Sequence, residues 1–231
     1  MSAKSVLNLT SLKEQVYHYL RDQMQKGKIK PGSVIKMEST CQKLGISKTP
    51  LRDALIQLEM EGFVTILPRQ GVYVNRLELQ DIKEYYQVIG ALENKALLEA
   101  SGKMGKPDIK RMEKLTLEMR SALKRDNFDL YYKKNLKFHD VFLQLCGNKI
   151  LKKTVDMLKK RLYDFPRLKS YVKEWEESSI EEHLYLIGFL FEGKFKEAAR
   201  YIRDVHWSFE VQEKYIKRYY FHDEEKQKIR D

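Results

Sequence analysis

Two cysteines, five prolines and eleven glycines in 231 residues set the first limits. Cys41 and Cys146 are too few and too far apart in sequence to make a disulfide framework. Scarce proline and glycine favour helix over sheet. No apolar run approaches the roughly 20 residues that span a bilayer, and "MSAKSVLNLTSLKEQ" lacks the apolar core and cleavage site of a signal peptide. The expectation is a cytoplasmic protein with no membrane partner. Negative charge is also short: 33 Asp/Glu face 44 Lys/Arg, a net +11. That excess suits an anionic partner without naming one. It is uneven, since residues 1–76 carry a net +6 and the other 155 a net +5. Solubility alone would explain a basic composition, so the motifs must decide. With 42% hydrophobic and 33% charged residues the chain can bury real cores, in two modest domains or one large one.

No internal repeat or low-complexity segment interrupts the pattern. Residues 11–26 put Leu12, Val16, Tyr19, Leu20 and Met24 on one helical stripe, with Ser11 as cap. "GKIKPGS" breaks that helix. A short segment, 38–44, leads to Gly45, and a second helix is expected over about 49–61, closed by Gly62. "FVTILPRQGVYVN" reads as two short strands around a turn at 68–71. Residues 1–76 therefore predict a winged helix-turn-helix. Residues 77–231 predict an all-α antiparallel bundle, with helices near 79–101, 108–125, 127–146, 149–168, 175–192 and 195–220. The fold class is mostly α.

The second helix of a helix-turn-helix presents its first turn to bases and phosphates. Here Ser47 and Thr49 offer hydroxyls and helix-start amides, Lys48 and Arg52 offer charge, and Leu51, Ala54, Leu55 and Leu58 form the opposite stripe. The wing adds Arg69, with Gln70 and Gly71 at a slim tip. Taken singly, Ser47 as a helix cap and solvated Lys48 and Arg52 would be the plainer account. Placed together ahead of a wing, they point to a double-stranded DNA operator. "LGISKTPLRDALIQLEMEGFV" followed by "ILPRQGVYVN" also resembles the DNA-binding signature of GntR-type bacterial transcriptional regulators, across residues 12–75. The resemblance implies that Lys48, Thr49, Arg52 and Gly71 occupy contact positions. One departure stands out. In "ESTC", Glu38 replaces an Arg at the start of the helix before the turn, so a phosphate contact is lost or the operator differs. Thr40 and Cys41 replace the usual Leu and Ala, which would repack the core there.

Five histidines remain to be placed. His18, between tyrosines, and His222, in the charged tail, suggest no role. His139 shares a stripe with Leu136, Phe142 and Leu143; His183 sits with Ile180, Leu184 and Ile187; His206 follows Ala199 and Ile202 and precedes Phe209. One inward histidine is ordinarily a hydrogen-bonded core residue. Three on separate helices can be satisfied together by one metal ion. Asn135, four residues before His139, shares its face. Two other readings stay open: structural histidines in a purely dimerising bundle, or a metal-dependent hydrolase. For the latter Glu182 is the nearest base, although a 100° step per residue is expected to turn it away from an ion on His183. Cys146 lies about 10 Å along the helix from His139 and is expected in the core.

"NLKFHDVFLQLCGN" and "IEEHLYLIGFLFEGKFKEAARYIRDVH" resemble the FadR-like C-terminal (FCD) domain of GntR regulators, from about 79 to 216. That resemblance implies a divalent ion, zinc or nickel ahead of manganese, held by Asn135, His139, His183 and His206 and helping to bind a small carboxylate effector. It implies a regulator rather than an enzyme, acting as a homodimer on a near-palindromic operator. Asn135 stands where the family usually has Asp, which predicts weaker affinity or a different ion. Ile89 stands where an Arg is usual. Lys159, Arg161 and Arg167 are candidate partners for an effector carboxylate, and Tyr85, Tyr86 and Tyr163 for a pocket wall. Charged helices are more often simply solvated, and buried tyrosines more often packing.

Overall fold

Ser11 starts the first helix with a reciprocal cap. Its Oγ accepts from the Glu14 backbone N–H, and the Glu14 carboxylate accepts from the Ser11 N–H. The computed structural model describes residues 11–163 and 172–221. Helix α1 (Leu12–Gln25) packs on α3 (Lys48–Met60), and α2 (Met37–Leu44) precedes α3 across the turn at Gly45. Val16, Leu20 and Met24 of α1 are buried, as are Leu51, Ala54, Leu55 and Leu58 of α3. Each large apolar side chain so buried contributes about 1.5–3 kcal/mol. Leu12, placed on the same stripe by its spacing, is instead 47% exposed, while Tyr17 is buried.

Strands β2 (Val64–Leu67) and β3 (Gly71–Val74) make the expected wing. A third strand, β1 (Val34–Ile35), pairs antiparallel with β3, giving the order β1-β3-β2. Two residues are too short for alternation to announce a strand. Register puts Val34 opposite Tyr73 and Ile35 opposite Val72.

From Glu78 a second unit begins; the first runs to Leu77 and also counts the end of α7 from Lys160. The second holds α4 (Leu79–Ala100), α5 (Lys106–Lys124), α6 (Phe128–Leu145), most of α7 (Lys149–Tyr163), α8 (Lys173–Phe191), α9 (Phe195–Tyr201) and α10 (Phe209–Tyr220). Helix α5 packs on α6 and α8, and α4 on α6 and α9. The helix expected over 149–168 is described as far as Tyr163, and Pro166 and Arg167 lie outside the described residues.

The last expected helix, 195–220, is not continuous. After α9 a single π-helical turn (Ile202–His206) and Trp207 interrupt it, and Ser208 caps α10 by accepting from the Val211 N–H at 3.4 Å. No glycine or proline marks this break, so helical periodicity runs across it. Among the described residues no helix is long and apolar enough to cross a membrane.

Candidate DNA-binding face and metal centre

Ser47 occupies the N-cap of α3, yet its side chain makes no capping hydrogen bond. Simple helix capping therefore does not account for it, and its hydroxyl joins Lys48, Thr49 and Arg52 on the exposed side of α3. Glu38, in the first turn of α2, lies 3.2 Å from the Lys48 ammonium. Thr40 and Cys41 are half-buried and α2 supplies no fully buried residue, so their exchange touches only the rim of the core. At the wing tip Arg69 is exposed and takes a left-handed backbone, φ +62°. Gly71 follows at φ +120°, and a Cβ there would lie 3.2 Å from Val34 Cγ1 on the neighbouring strand. A side chain at 71 would both strain the turn and push β1 away.

In the second unit the three histidines meet. His139 projects from α6, His183 from α8 and His206 from the π turn. Ring centroids are 5.4 Å apart for His139 and His183, 5.0 Å for His139 and His206, and 4.9 Å for His183 and His206. One nitrogen from each ring lies within 4.8 Å of the others. Zinc–nitrogen bonds of about 2.1 Å would bring such nitrogens to roughly 3–3.5 Å, a closure that side-chain rotation can supply.

The outer ring nitrogens are held. Glu93 of α4 accepts from His139 Nδ1 at 2.8 Å and from Trp207 Nε1 at 2.7 Å. Glu182 of α8 accepts from His206 Nδ1 at 2.7 Å and from Gln212 Nε2 at 2.9 Å. An ionised carboxylate only accepts, so both Nδ1 atoms carry a proton and both Nε2 atoms face inward as the possible metal donors. His139 Nε2, both nitrogens of His183 and Asn135 Oδ1 are buried without a hydrogen-bond partner among the described residues. Leaving such atoms unsatisfied costs about 1–3 kcal/mol each. A single cation among the three imidazoles would satisfy His139 Nε2 and one nitrogen of His183 at once, and Asn135 stands one turn before His139 on α6, so the residues present fit a divalent ion.

Electrostatics favour the same state. Burial pulls the His139 imidazole down to about 4 and that of His183 well below its ordinary value. Both are neutral at pH 7, the form that binds metal. Burial opposes ionisation of Glu93, but His139 and Lys159 outweigh it and hold the carboxyl below its usual range. Lys159 is itself buried, paired with Glu93 and 5.2 Å from the Trp207 ring centroid. Helix α4 can come this close because residue 90 is glycine: a Cβ there would sit 3.0 Å from Trp207 Cβ.

Comparison with known proteins now decides the family. The gntR model, described as bacterial regulatory proteins, matches residues 12–74, and the FCD domain model matches residues 84–205, more than half of the chain. The chain belongs to the GntR family of regulators, in its FCD branch. The HTH-type transcriptional repressor RspR of Escherichia coli K12 is 24% identical over 160 residues, 69% of this chain and 70% of that protein. The Nta operon transcriptional regulator of Aminobacter aminovorans is 26% identical over 175 residues, 75% and 80% of the two chains. The solved structure of E. coli McbR/YncC shares the fold at TM-score 0.64 and 22% identity, covering 90% of this chain and 96% of that one. A Listeria monocytogenes protein, Lar, does so at TM-score 0.65 and 18% identity, covering 91% and 99%. This GntR chain is a DNA-binding transcriptional regulator.

Within the regulator's bundle the expectation for Glu182 needs correction, and the other residues singled out take definite places. Glu182 does not turn away from the site: it is buried and orients His206, one residue along α8 from His183. Its lone-base reading overlooked that three histidines on different elements surround the point, so adjacent residues of one helix can serve two of them. Lys159 is tied to Glu93, and Arg161 counts with the first unit rather than with the imidazoles. Tyr86 packs edge-on against Trp207 at 5.1 Å, while Tyr85 and Tyr163 are half-buried. Ile89 is fully buried in α4, and Cys146 is buried with its Sγ donating to the Leu143 carbonyl at 3.1 Å. Glu93, Trp207 and Gln212 were not anticipated. Glu93 carries a signal in hindsight, a carboxylate on the apolar stripe of Ile89, Ala96 and Leu97.

Proposed function

We propose that this regulator binds operator DNA as a homodimer, through Ser47, Lys48, Thr49, Arg52, Arg69 and Gly71 of each copy, under control of a divalent ion in its bundle. Asn135, His139, His183 and His206 would hold the ion, zinc or nickel ahead of manganese, and the bound ion would supply a Lewis-acidic point for a small carboxylate effector. The observation that carries this reading is the meeting of three imidazoles with orphaned buried nitrogens on His139 and His183, while Glu93 and Glu182 fix the outer nitrogens of His139 and His206. Ordered outer partners of this kind accompany metal-binding histidines generally. An effector changes operator affinity only by binding one arrangement of the dimer better than another.

Metal content of the purified, untagged protein tests the site, with His139→Ala measured beside the wild type. About one ion per chain, lost in the variant, is expected. No ion in the wild type after exposure to zinc, nickel and manganese would remove the metal and leave the DNA-binding half intact.

A further inference from the structure

The contact between Glu38 and Lys48 adds little to the stability of the fold, since their side chains are 85% and 68% exposed. Lys48 also sits in the first turn of α3, where the helix dipole disfavours a cation and no acidic residue of α3 compensates. Glu38, from the first turn of α2, supplies that negative charge. The pair therefore stands at the end of the recognition helix that meets base edges.

A carboxylate 3.2 Å from the ammonium makes Lys48 a poor phosphate clamp, because the pair as a whole is neutral. It makes a good reader. On the major-groove edge of a G·C pair, the acceptors N7 and O6 of guanine adjoin the N4 amino donor of cytosine. O6 and N4 are joined by a base-pair hydrogen bond and so lie about 2.9 Å apart. An ammonium and a carboxylate 3.2 Å apart offer a donor and an acceptor at matching spacing. At the same two positions A·T reverses the order, setting adenine N6, a donor, against Lys48 and thymine O4, an acceptor, against Glu38. Pairing with adenine N7 and N6 instead would require the two side chains to shift toward the purine. We propose that Glu38 and Lys48 act as one unit that reads a G·C base pair, Lys48 donating to guanine and Glu38 accepting from cytosine N4. This rests on the DNA-binding reading of the first unit and adds a specificity that the reading does not contain.

The test is selection of preferred duplexes from random DNA by the full-length protein, chelated and zinc-loaded. Affinity for the selected operator and its single-base variants is then measured at several salt concentrations, for wild type, Glu38→Ala, Lys48→Ala and the double variant. Both side chains are exposed, and matching melting temperatures would confirm intact folds. Expected is one G·C position per half-site at which wild type discriminates by roughly 5- to 100-fold. Either single variant loses most of that discrimination, the double variant loses no more, and other positions are unchanged. The proposal is overturned if Glu38→Ala binds every sequence more tightly with base preferences intact, while Lys48→Ala lowers the salt slope by about 1. Salt-dependent binding with no selected sequence would also overturn it. Absence of DNA binding under all conditions would instead bring down the DNA-binding reading itself.

Discussion

At the scale of single residues, Asn135 is the most informative. Its Oδ1 is buried and unsatisfied one turn of α6 before His139, and an amide oxygen with imidazole nitrogens is a donor set that suits late transition metals better than manganese. Asn135→Asp keeps the shape and adds a charge, and its effect should depend on the ion. Without metal a buried, poorly paired carboxylate lowers the melting temperature. With zinc, the anionic ligand should tighten binding by about tenfold or more, worth about 1.4 kcal/mol, and raise manganese affinity as well. Chelator competition and paired melting curves measure both. A variant that melts lower in both states, with unchanged metal affinity, would mean that residue 135 does not touch the ion. The meeting of the three histidines was legible because each sits at helical spacing on an apolar stripe. Glu93 and Glu182 were harder to see, since a glutamate on a helix usually faces water and nothing in sequence ties either to a distant imidazole.

Among the elements, the wing and the π turn make opposite cases. The wing announced itself through Pro68, Gly71 and the alternation of β2 and β3, although its third strand did not. Its tip stores strain: Arg69 holds a left-handed backbone that costs a non-glycine residue about 1 kcal/mol. Arg69→Gly should therefore leave the melting temperature unchanged or slightly raised. The same change removes a cation from the tip, so operator binding should weaken and the log–log salt slope fall by about 1. Thermal unfolding and a salt titration of binding check the two halves. A marked loss of stability would show instead that the arginine side chain holds the wing together. The π turn gave no warning because its residues continue the apolar period of α9. Its consequence is geometric: it carries His206 to the other imidazoles and seats Trp207 on Glu93.

For the whole molecule, the division into a DNA-binding unit and a helical unit was legible from the change in element type at residue 78, whereas the stability of the second unit depends on protonation that no sequence displays. His139 titrates at about 4 in the folded state against an ordinary 6.5, and His183 is shifted the same way, both through burial. A base whose folded pKa is depressed binds fewer protons folded than unfolded. Its contribution to stability is complete above about pH 6.5 and is lost as pH falls toward 4, with a slope of at most about 1.4 kcal/mol per pH unit for each such histidine. The chelated protein should therefore weaken steeply between pH 6.5 and 4.5, as the unfolded chain takes up protons that the folded core excludes. Zinc bound at the cluster would compete for the same lone pairs and add its own binding energy to the folded state. The loaded protein should be more stable at pH 7 and should hold its fold to lower pH, until protons displace the ion. Urea unfolding at pH 7.5, 6 and 5, with chelator or with zinc, measures both curves. A chelated curve that stays flat down to pH 5 would show that burial does not keep these imidazoles neutral. Coincident curves with and without zinc would separate the histidine cluster from metal binding altogether.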